Sequence, residues 1–195
     1  MKRGMMIDIA HLPKRSLARA YELLEANQYP ATKTHGDTNG GRVYLNGGMG
    51  GTSLGRCSSG KPGSMGSHLA ASVQEIKDKG GYPAEGLSFD LNGFAGGPRP
   101  RFGPDSPCGD PQSNPVTYPF TSYDGKVTFE QPYLGNRLVD FNTEGMIHIG
   151  LLPELIEDVR RDGVTDEELE PLFRSAEAYV RMWEHAEARG KALSP

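Results

Sequence analysis

The chain has few cysteines, and they form no metal-binding or redox motif. Cys57 and Cys108 are far apart in sequence, and neither belongs to a Cys-x-x-Cys pair. This excludes zinc-knuckle and thioredoxin-type sites. For a cytosolic chain, free thiols are the default expectation, and a disulfide between the two cysteine-bearing loops is the alternative.

The sequence also has no excess of positive charge and no long apolar run. A net charge of -4 over 195 residues gives no electrostatic reason to expect nucleic acid or a membrane surface as a partner. No segment approaches the roughly 18 apolar residues of a membrane span. The apolar start is too short for a signal peptide and is interrupted by Asp8 and His11. We therefore expect a soluble, cytoplasmic protein.

Glycine and proline, in contrast, are abundant. The chain has 26 Gly and 15 Pro, nearly twice the average share of roughly 12%. One interpretation is disorder, and the other is an α/β scaffold with long loops. These residues concentrate at about 36–64 and 91–145, whereas the flanking segments are strongly patterned, which favours the second interpretation. We expect one domain over residues 1–195, with a long insertion at about 91–150.

The first 35 residues predict a β-α-β unit. Residues 4–11 are almost wholly apolar and end in His11, which is typical of a strand buried on both faces. Pro13 then opens an amphipathic helix that extends to about Asn27. A second short strand, residues 31–35, ends in His35.

The remaining chain predicts two further strands and several helices. Residues 42–46 are interpreted as a third strand, and 47–63 as a Gly/Ser-rich surface loop. A fourth strand covers 87–90, and a hairpin follows the Asp124-Gly125 turn. Helices are predicted over 64–79, 151–161 and about 169–189, the last with a capping box of Thr165 and Glu168 and a kink at Pro171.

Three residues of types that bind metals or transfer protons follow short apolar runs: His11, His35 and Asp90. In a parallel barrel the strand ends open at one face, so these side chains could converge there. Two imidazoles are ligands for a divalent transition metal, and a nearby carboxylate can transfer protons. The alternative is that they are three unrelated structural residues.

Four stretches resemble the membrane dipeptidase family of zinc peptidases, which have amidohydrolase-type barrels. They are GMMIDIAH, YPATKTHG, GLSFDLNGF and the helical tail GVTDEELEPLFRSAEAYVRMWE, and the resemblance extends from Gly4 to about Ala186. It implies that the first two stretches are the family's fifth and sixth strands, whose final histidines bind zinc. These histidines are His11 and His35. The third stretch resembles the eighth strand, with Asp90 as the catalytic acid/base.

The same resemblance implies residues that bind the substrate. Arg42 lies where the family has an arginine for the substrate carboxylate, and Asn92 follows Asp90 in the eighth-strand motif. Apart from the resemblance, His148 stands in the apolar run Met146-Ile147-His148-Ile149 near the end of the long loop, from where it could line a substrate pocket.

The chain departs from the family by lacking the front of the barrel. The first-strand His-x-Asp pair and the fourth-strand glutamate that bridges two metals are missing. His35-Gly36-Asp37 is formally His-x-Asp, but it occupies the sixth-strand position. We therefore expect an α/β fold, namely a partial (β/α) TIM-type barrel of about four parallel strands with outer helices and a long loop. Its ligand set for one or two Zn²⁺ ions would be incomplete.

These expectations lead to two functional hypotheses. The first is a metal-dependent hydrolase that cleaves an amide or ester bond of a dipeptide-like substrate with zinc-activated water. The second is an inactive or truncated half-barrel that acts as an assembly partner or a weak metal binder. A half-barrel has two unpaired sheet edges, so we expect either a homo-oligomer or a separate chain that supplies the N-terminal half.

Overall fold

The computed structural model describes residues 1–35, 40–54, 64–91 and 96–194, without the side chains of Ser64, Met65 and Ser67. The chain forms two compact units. The first comprises Met1–Thr52, Leu69–Ser88 and Glu170–Pro195, and the second comprises Ser53–His68 and Phe89–Leu169.

Four parallel segments form the centre of the first unit, and we call them the parallel ladder (residues 7–9, 31–33, 49–52 and 86–88). Asp8 bridges Thr32, and Thr32 bridges Met49, both in parallel. Strand β1 (Gly51–Thr52) then pairs in parallel with β2 (Gly86–Leu87). The order of the segments across the ladder is therefore their order along the chain.

Helices connect the segments of the ladder, as the apolar periodicity predicts. Helix α1 (Lys14–Ala26) joins the first segment to the second, which confirms the helix predicted after Pro13. Helix α2 (Ser64–Asp78) lies between the third and the fourth segment and confirms the helix predicted over 64–79. Parallel strands need crossovers of this kind because a tight turn can join only antiparallel neighbours.

The core of the first unit lies between the ladder and its helices. Ile9 and Ala31 are the buried residues of the first two segments, and Tyr21 and Leu24 are the buried face of α1. Together with Tyr29, Val43, Tyr44, Ile76 and Ala186 they form one apolar cluster. By the alternation of side chains along a strand, Asp8 and Thr34 lie on the face opposite this core, and both are exposed.

The third strand was predicted in the wrong place. Residues Arg42–Gly47 form a 3-10 helix, in which the adjacent side chains of Val43 and Tyr44 are both buried, as no half-buried strand would place them. The third ladder segment instead lies in the glycine-rich stretch interpreted as a loop. A Cβ atom on Gly48 would come within 1.9 Å of the Val43 carbonyl oxygen and 2.4 Å of the Ala31 carbonyl oxygen. Glycine is present there because neighbouring backbones approach too closely for any side chain.

In the described part of the second unit, two small hairpins are followed by two short helices. Strand β3 (Phe120–Thr121) pairs with β4 (Thr128–Phe129), which confirms the hairpin predicted around Asp124-Gly125. Strands β5 (Tyr133–Leu134) and β6 (Arg137–Leu138) form the second hairpin. Helix α3 (Phe141–Glu144) and a 3-10 turn (Ile149–Leu151) lead to α4 (Leu152–Arg161), which confirms the helix predicted over 151–161.

A buried arginine connects the long loop of the second unit to α4. Arg101 is 3% exposed, and its Nε lies 2.8 Å from Oδ1 of Asp158. Its two terminal nitrogens donate hydrogen bonds to the carbonyl oxygens of Ser113 and Asn114, at 2.9 and 2.8 Å. A buried guanidinium requires this number of acceptors, since an unpaired buried charge is strongly destabilising. Arg101 therefore joins the backbone carbonyl groups of the Pro-rich loop to Asp158 of α4.

The C-terminal helix is divided in two. Helix α5 (Asp166–Phe173) begins with the predicted capping box, in which the backbone N–H of Thr165 donates to Glu168 Oε2 at 2.8 Å and that of Glu168 donates to Thr165 Oγ1 at 3.3 Å. Pro171 removes a donor from this helix. The helix ends two residues later, and α6 (Ser175–Leu193) follows after Arg174.

One buried carboxyl group lies at the start of the fourth ladder segment. Glu85 is 2% exposed, and Tyr44 Oη donates a hydrogen bond of 3.5 Å to its Oε1. Burial raises the pKa of Glu85 to about 7, against the opposing effect of hydrogen bonds from Ser72 and Tyr44. The same burial, with Glu85 as a negative neighbour, raises the pKa of Tyr44.

We expect the stability of the chain to decrease as the pH rises from about 4.5 to about 7. The folded state binds the Glu85 proton more tightly than the unfolded state does. The contribution of Glu85 to the free energy of unfolding is therefore complete below the unfolded-state pKa and is lost as the pH rises through the folded-state pKa. Glu85→Gln should remove the loss, up to roughly 3 kcal/mol at about 1.4 kcal/mol per pKa unit. Urea unfolding near pH 5 and near pH 8 measures it. The matched control is Glu22→Gln on the exposed face of α1, and an unchanged pH dependence in Glu85→Gln would contradict the assignment.

Candidate functional site

The candidate site lies at the carboxyl ends of the first two ladder segments. His11 and His35 follow these segments after one intervening residue each. Their imidazole rings stack with centroids 5.0 Å apart and planes inclined by 26°. Adjacent parallel strands end on the same side of a sheet, and this brings together two residues that are 24 positions apart in sequence. The convergence of the two predicted zinc ligands is thus present in the structure.

The backbone at His11 adopts an unusual conformation. Its φ angle is 59°, in the left-handed region that residues other than glycine rarely occupy. This conformation turns the chain sharply from the first segment towards α1. His11 is exposed and His35 is half-buried, so the pair is accessible from solvent.

Asp8 connects the two segments that carry the histidines. Its Oδ1 accepts a hydrogen bond of 2.9 Å from the backbone N–H of Ala10, and its Oδ2 accepts one of 2.6 Å from the hydroxyl of Thr34. Partial burial raises the pKa of the Asp8 carboxyl, but the hydrogen bonds from Thr34 and Ala10 and the nearby His11 outweigh it, so the pKa lies below its usual value. Asp8 is therefore negatively charged at neutral pH.

The fourth ladder segment contacts the same place. Ser88 Oγ donates a hydrogen bond of 2.5 Å to the carbonyl oxygen of Thr34. Thr34 is thus held by Asp8 through its hydroxyl and by Ser88 through its carbonyl. The sequence analysis missed Asp8, Thr34 and Ser88. The available signal was a carboxylate inside an apolar strand three residues before a histidine.

The donor set fits a divalent transition metal in type and is incomplete in number. Zinc prefers imidazole nitrogen, and catalytic zinc sites have three protein ligands. Within the residues that the structure describes, no group of three or more His, Cys, Asp or Glu side chains could hold a metal ion. His11 and His35 are thus two candidate ligands, fewer than such a site needs, and Asp37, which the sequence offered as a substitute ligand, lies outside the described residues.

Two further candidates come from the segment that resembles the eighth strand of the family. Asp90 is exposed and belongs to the second unit, and its role as acid/base stays a prediction. Asn92 lies outside the described residues.

Arg42 contacts α1. Its Nη2 and Nε lie 2.7 and 2.8 Å from Oε1 of Glu25, and its guanidinium lies 4.4 Å from the centre of the Tyr21 ring. The Glu25 carboxylate thus pairs with Arg42, the residue that was predicted to bind a substrate carboxylate. Glu25 engages two of the three guanidinium nitrogens, so a substrate carboxylate would bind Arg42 either beside this ion pair or in its place.

His148 lies in the second unit, beside a buried carboxyl group. Its Nδ1 accepts a hydrogen bond of 3.1 Å from the backbone N–H of Gly150, so the proton of the neutral ring is on Nε2. Glu154 is 3% exposed, and Tyr118 Oη donates a hydrogen bond of 3.5 Å to its Oε1. Burial raises the pKa of Glu154 against the opposing effects of hydrogen bonds and of His148.

The expectation of a free thiol is wrong for Cys108, which is disulfide-bonded. Among the described residues no cysteine is free, and Cys57 lies outside them. The sequence could not decide between the alternatives because a disulfide depends on the approach of two chain segments that sequence spacing does not reveal.

Searches of protein-family models, of curated proteins and of solved structures returned no significant match to this chain. The resemblance to the membrane dipeptidases therefore stays a prediction. No helix in the described part of the chain has the length and apolar character needed to cross a membrane.

We expect His148 to keep the tautomer with its proton on Nε2, and not to bind added metal. Binding through Nε2 would move the proton to Nδ1 and break the hydrogen bond from Gly150. Long-range proton–nitrogen NMR correlations distinguish the two tautomers. A proton on Nδ1, or a shift of the His148 signals on addition of Zn²⁺, would contradict this assignment.

Proposed function

We propose that this chain supplies two histidine ligands to the divalent-metal site of a dipeptidase-like hydrolase, which cleaves an amide or ester bond in a small peptide-like substrate. The observation that supports the proposal is the stacked pair of His11 and His35, with ring centroids 5.0 Å apart at the ends of neighbouring parallel segments. Structural histidines need no such partner, whereas two ligands of one ion must approach one another.

The topology of the first unit supports a partial (β/α) barrel as the fold. The ladder segments follow one another in chain order, as strands do in a singly wound barrel. In a doubly wound sheet the order would reverse at a switch point. Four segments are half of the eight that such a barrel contains.

When bound, a divalent metal at such a site lowers the pKa of bound water and polarises the substrate carbonyl group. His11 and His35 would hold the ion. Asp90 is proposed to transfer a proton to the departing group, as the resemblance implies. Further ligands would come from outside the described residues or from another chain.

The second candidate function is assembly. Within the described residues the ladder ends at Asp8 on one side and at Leu87 on the other, without a further strand on either side. Exposed Asp8 and Thr34 lie on the face opposite the core. Parallel sheets are almost always covered on both faces, and an open edge presents unpaired N–H and C=O groups. A second copy of this chain, or a chain that carries the front of the barrel, would cover both.

The redox state of Cys108 is evidence about the compartment in which the chain folds. The cytoplasmic location stays a proposal, and the disulfide at Cys108 counts against it, because disulfides persist in oxidising compartments and are rare in the reducing cytoplasm.

We expect the purified chain to bind Co²⁺ or Zn²⁺, and His11→Ala and His35→Ala each to weaken binding by at least about tenfold, because each removes one of two ligands. Competition with a chromophoric chelator measures the affinity, and dipeptide hydrolysis measures the activity. The control is His68→Ala, an exposed histidine on α2. If the chain holds no metal and His11→Ala leaves hydrolysis unchanged, the hydrolase proposal is lost.

We expect sedimentation at micromolar concentration to give a mass above the 21.2 kDa of one chain if copies pair through the ladder edges. The edge can be tested directly, since the N–H groups of Gly86 and Ser88 donate inward to Gly50 and Thr52 and that of Leu87 faces outward. Leu87→Pro should reduce the mass to that of the monomer, and Leu87→Ala is the control. A monomeric wild-type chain would count against pairing of copies.

A further inference from the structure

The carboxylate of Asp8 is the direct link between the two histidine-bearing turns. It accepts a hydrogen bond from the backbone of Ala10, immediately before His11, at 2.9 Å. It also accepts one from the hydroxyl of Thr34, immediately before His35, at 2.6 Å. A third contact, from the Thr34 backbone N–H to Oδ1, measures 3.4 Å.

The hydrogen bonds of Asp8 are directed at the residues that directly precede the two histidines. Charge-assisted hydrogen bonds are shorter and stronger than neutral ones, and the 2.6 Å bond to Thr34 has the length of a hydroxyl–carboxylate bond of this kind. A carboxylate that spans both turns fixes their separation, and therefore the separation of the residues that follow.

The left-handed backbone at His11 needs a restraint of this type. A residue other than glycine at φ 59° persists only where its surroundings hold it there. The hydrogen bond from Ala10 to Asp8 closes a turn directly before this residue. Side chains of Asp commonly form such local bonds to the backbone two residues on.

Ser88 provides the opposing contact on the second turn. Its hydroxyl donates to the Thr34 carbonyl, while Asp8 binds the Thr34 hydroxyl. The residue before His35 is therefore held from the first and the fourth ladder segment at once.

We propose that Asp8 is a positioning residue that brings the His11 and His35 rings together in the metal-free chain. The inference rests on the proposed function, because a preassembled pair serves a metal site. In such a site metal binding does not have to order two independent turns, and groups that orient metal ligands typically affect affinity by about 10- to 100-fold.

The test compares variants that remove the link with variants that preserve it. Asp8→Ala removes all three contacts of the carboxylate. Thr34→Val removes the hydroxyl while keeping the branched shape, whereas Thr34→Ser retains the hydroxyl. Asp124→Ala is the matched control, since Asp124 also accepts hydrogen bonds from a hydroxyl and a backbone N–H, those of Ser122 and Lys126.

The first readout needs no metal. We expect a nuclear Overhauser effect between the ring protons of His11 and His35 in the wild-type chain, in Thr34→Ser and in Asp124→Ala. It should be lost or strongly reduced in Asp8→Ala and in Thr34→Val. Wild-type intensity in Asp8→Ala would overturn the positioning role, whether or not the chain binds metal.

The second readout separates positioning from ligation. We expect Asp8→Ala to weaken Co²⁺ binding by about 10- to 100-fold and to leave the wavelengths of the bound Co²⁺ absorption bands unchanged, because the ligands stay the same. Shifted bands would make Asp8 a ligand and overturn the inference. Absence of Co²⁺ binding by the wild-type chain would defeat the proposed function alone, since the ring contact is measured without metal.

Discussion

The parallel backbone pairing of the first two ladder segments is the constraint on which the candidate site depends. Ile9 donates to the Thr32 carbonyl at 3.0 Å, and Thr32 donates to the Ile7 carbonyl at 2.9 Å. This register fixes which residues of the two segments stand side by side, and so it brings Asp8 next to Thr32. A shift by one residue would turn every side chain to the opposite face of the sheet and would separate Asp8 from Thr34.

The apolar packing and the polar contacts act on opposite faces of these segments. Ile9 and Ala31 pack with Tyr21 and Leu24 of α1 and fix the register from one face. Asp8 joins the exposed face to the histidine turns. The core thus supplies the stability, and the exposed face is free to carry polar chemistry.

Much of this arrangement could be predicted from sequence, where local signals suffice. Helices α1, α2 and α4 follow from apolar periodicity, and the capping box at Thr165 follows from a four-residue pattern. The third ladder segment could not be predicted in this way. Its glycines have low strand propensity, and they are required by backbone contacts at Gly48 that only the folded chain contains.

The histidine pair could be anticipated because parallel strands end on one side of a sheet, and His11 and His35 both follow apolar runs. The hydrogen bond between Thr34 and Asp8 and the ion pair between Arg42 and Glu25 could not be anticipated from the sequence. Both depend on side chains meeting across elements, and sequence spacing does not determine such contacts. In the folded chain, the arginine that the resemblance matched to a substrate-binding position is paired with Glu25 of α1.

The most direct measurement of the central claim follows the ring nitrogen signals of all histidines during a Zn²⁺ titration of the full chain. We expect the signals of His11 and His35 to shift together, with one midpoint, and to stop shifting at one equivalent of metal. Independent midpoints, a shift of only one of the two rings, or no shift of either would contradict the claim that they form one metal-binding pair.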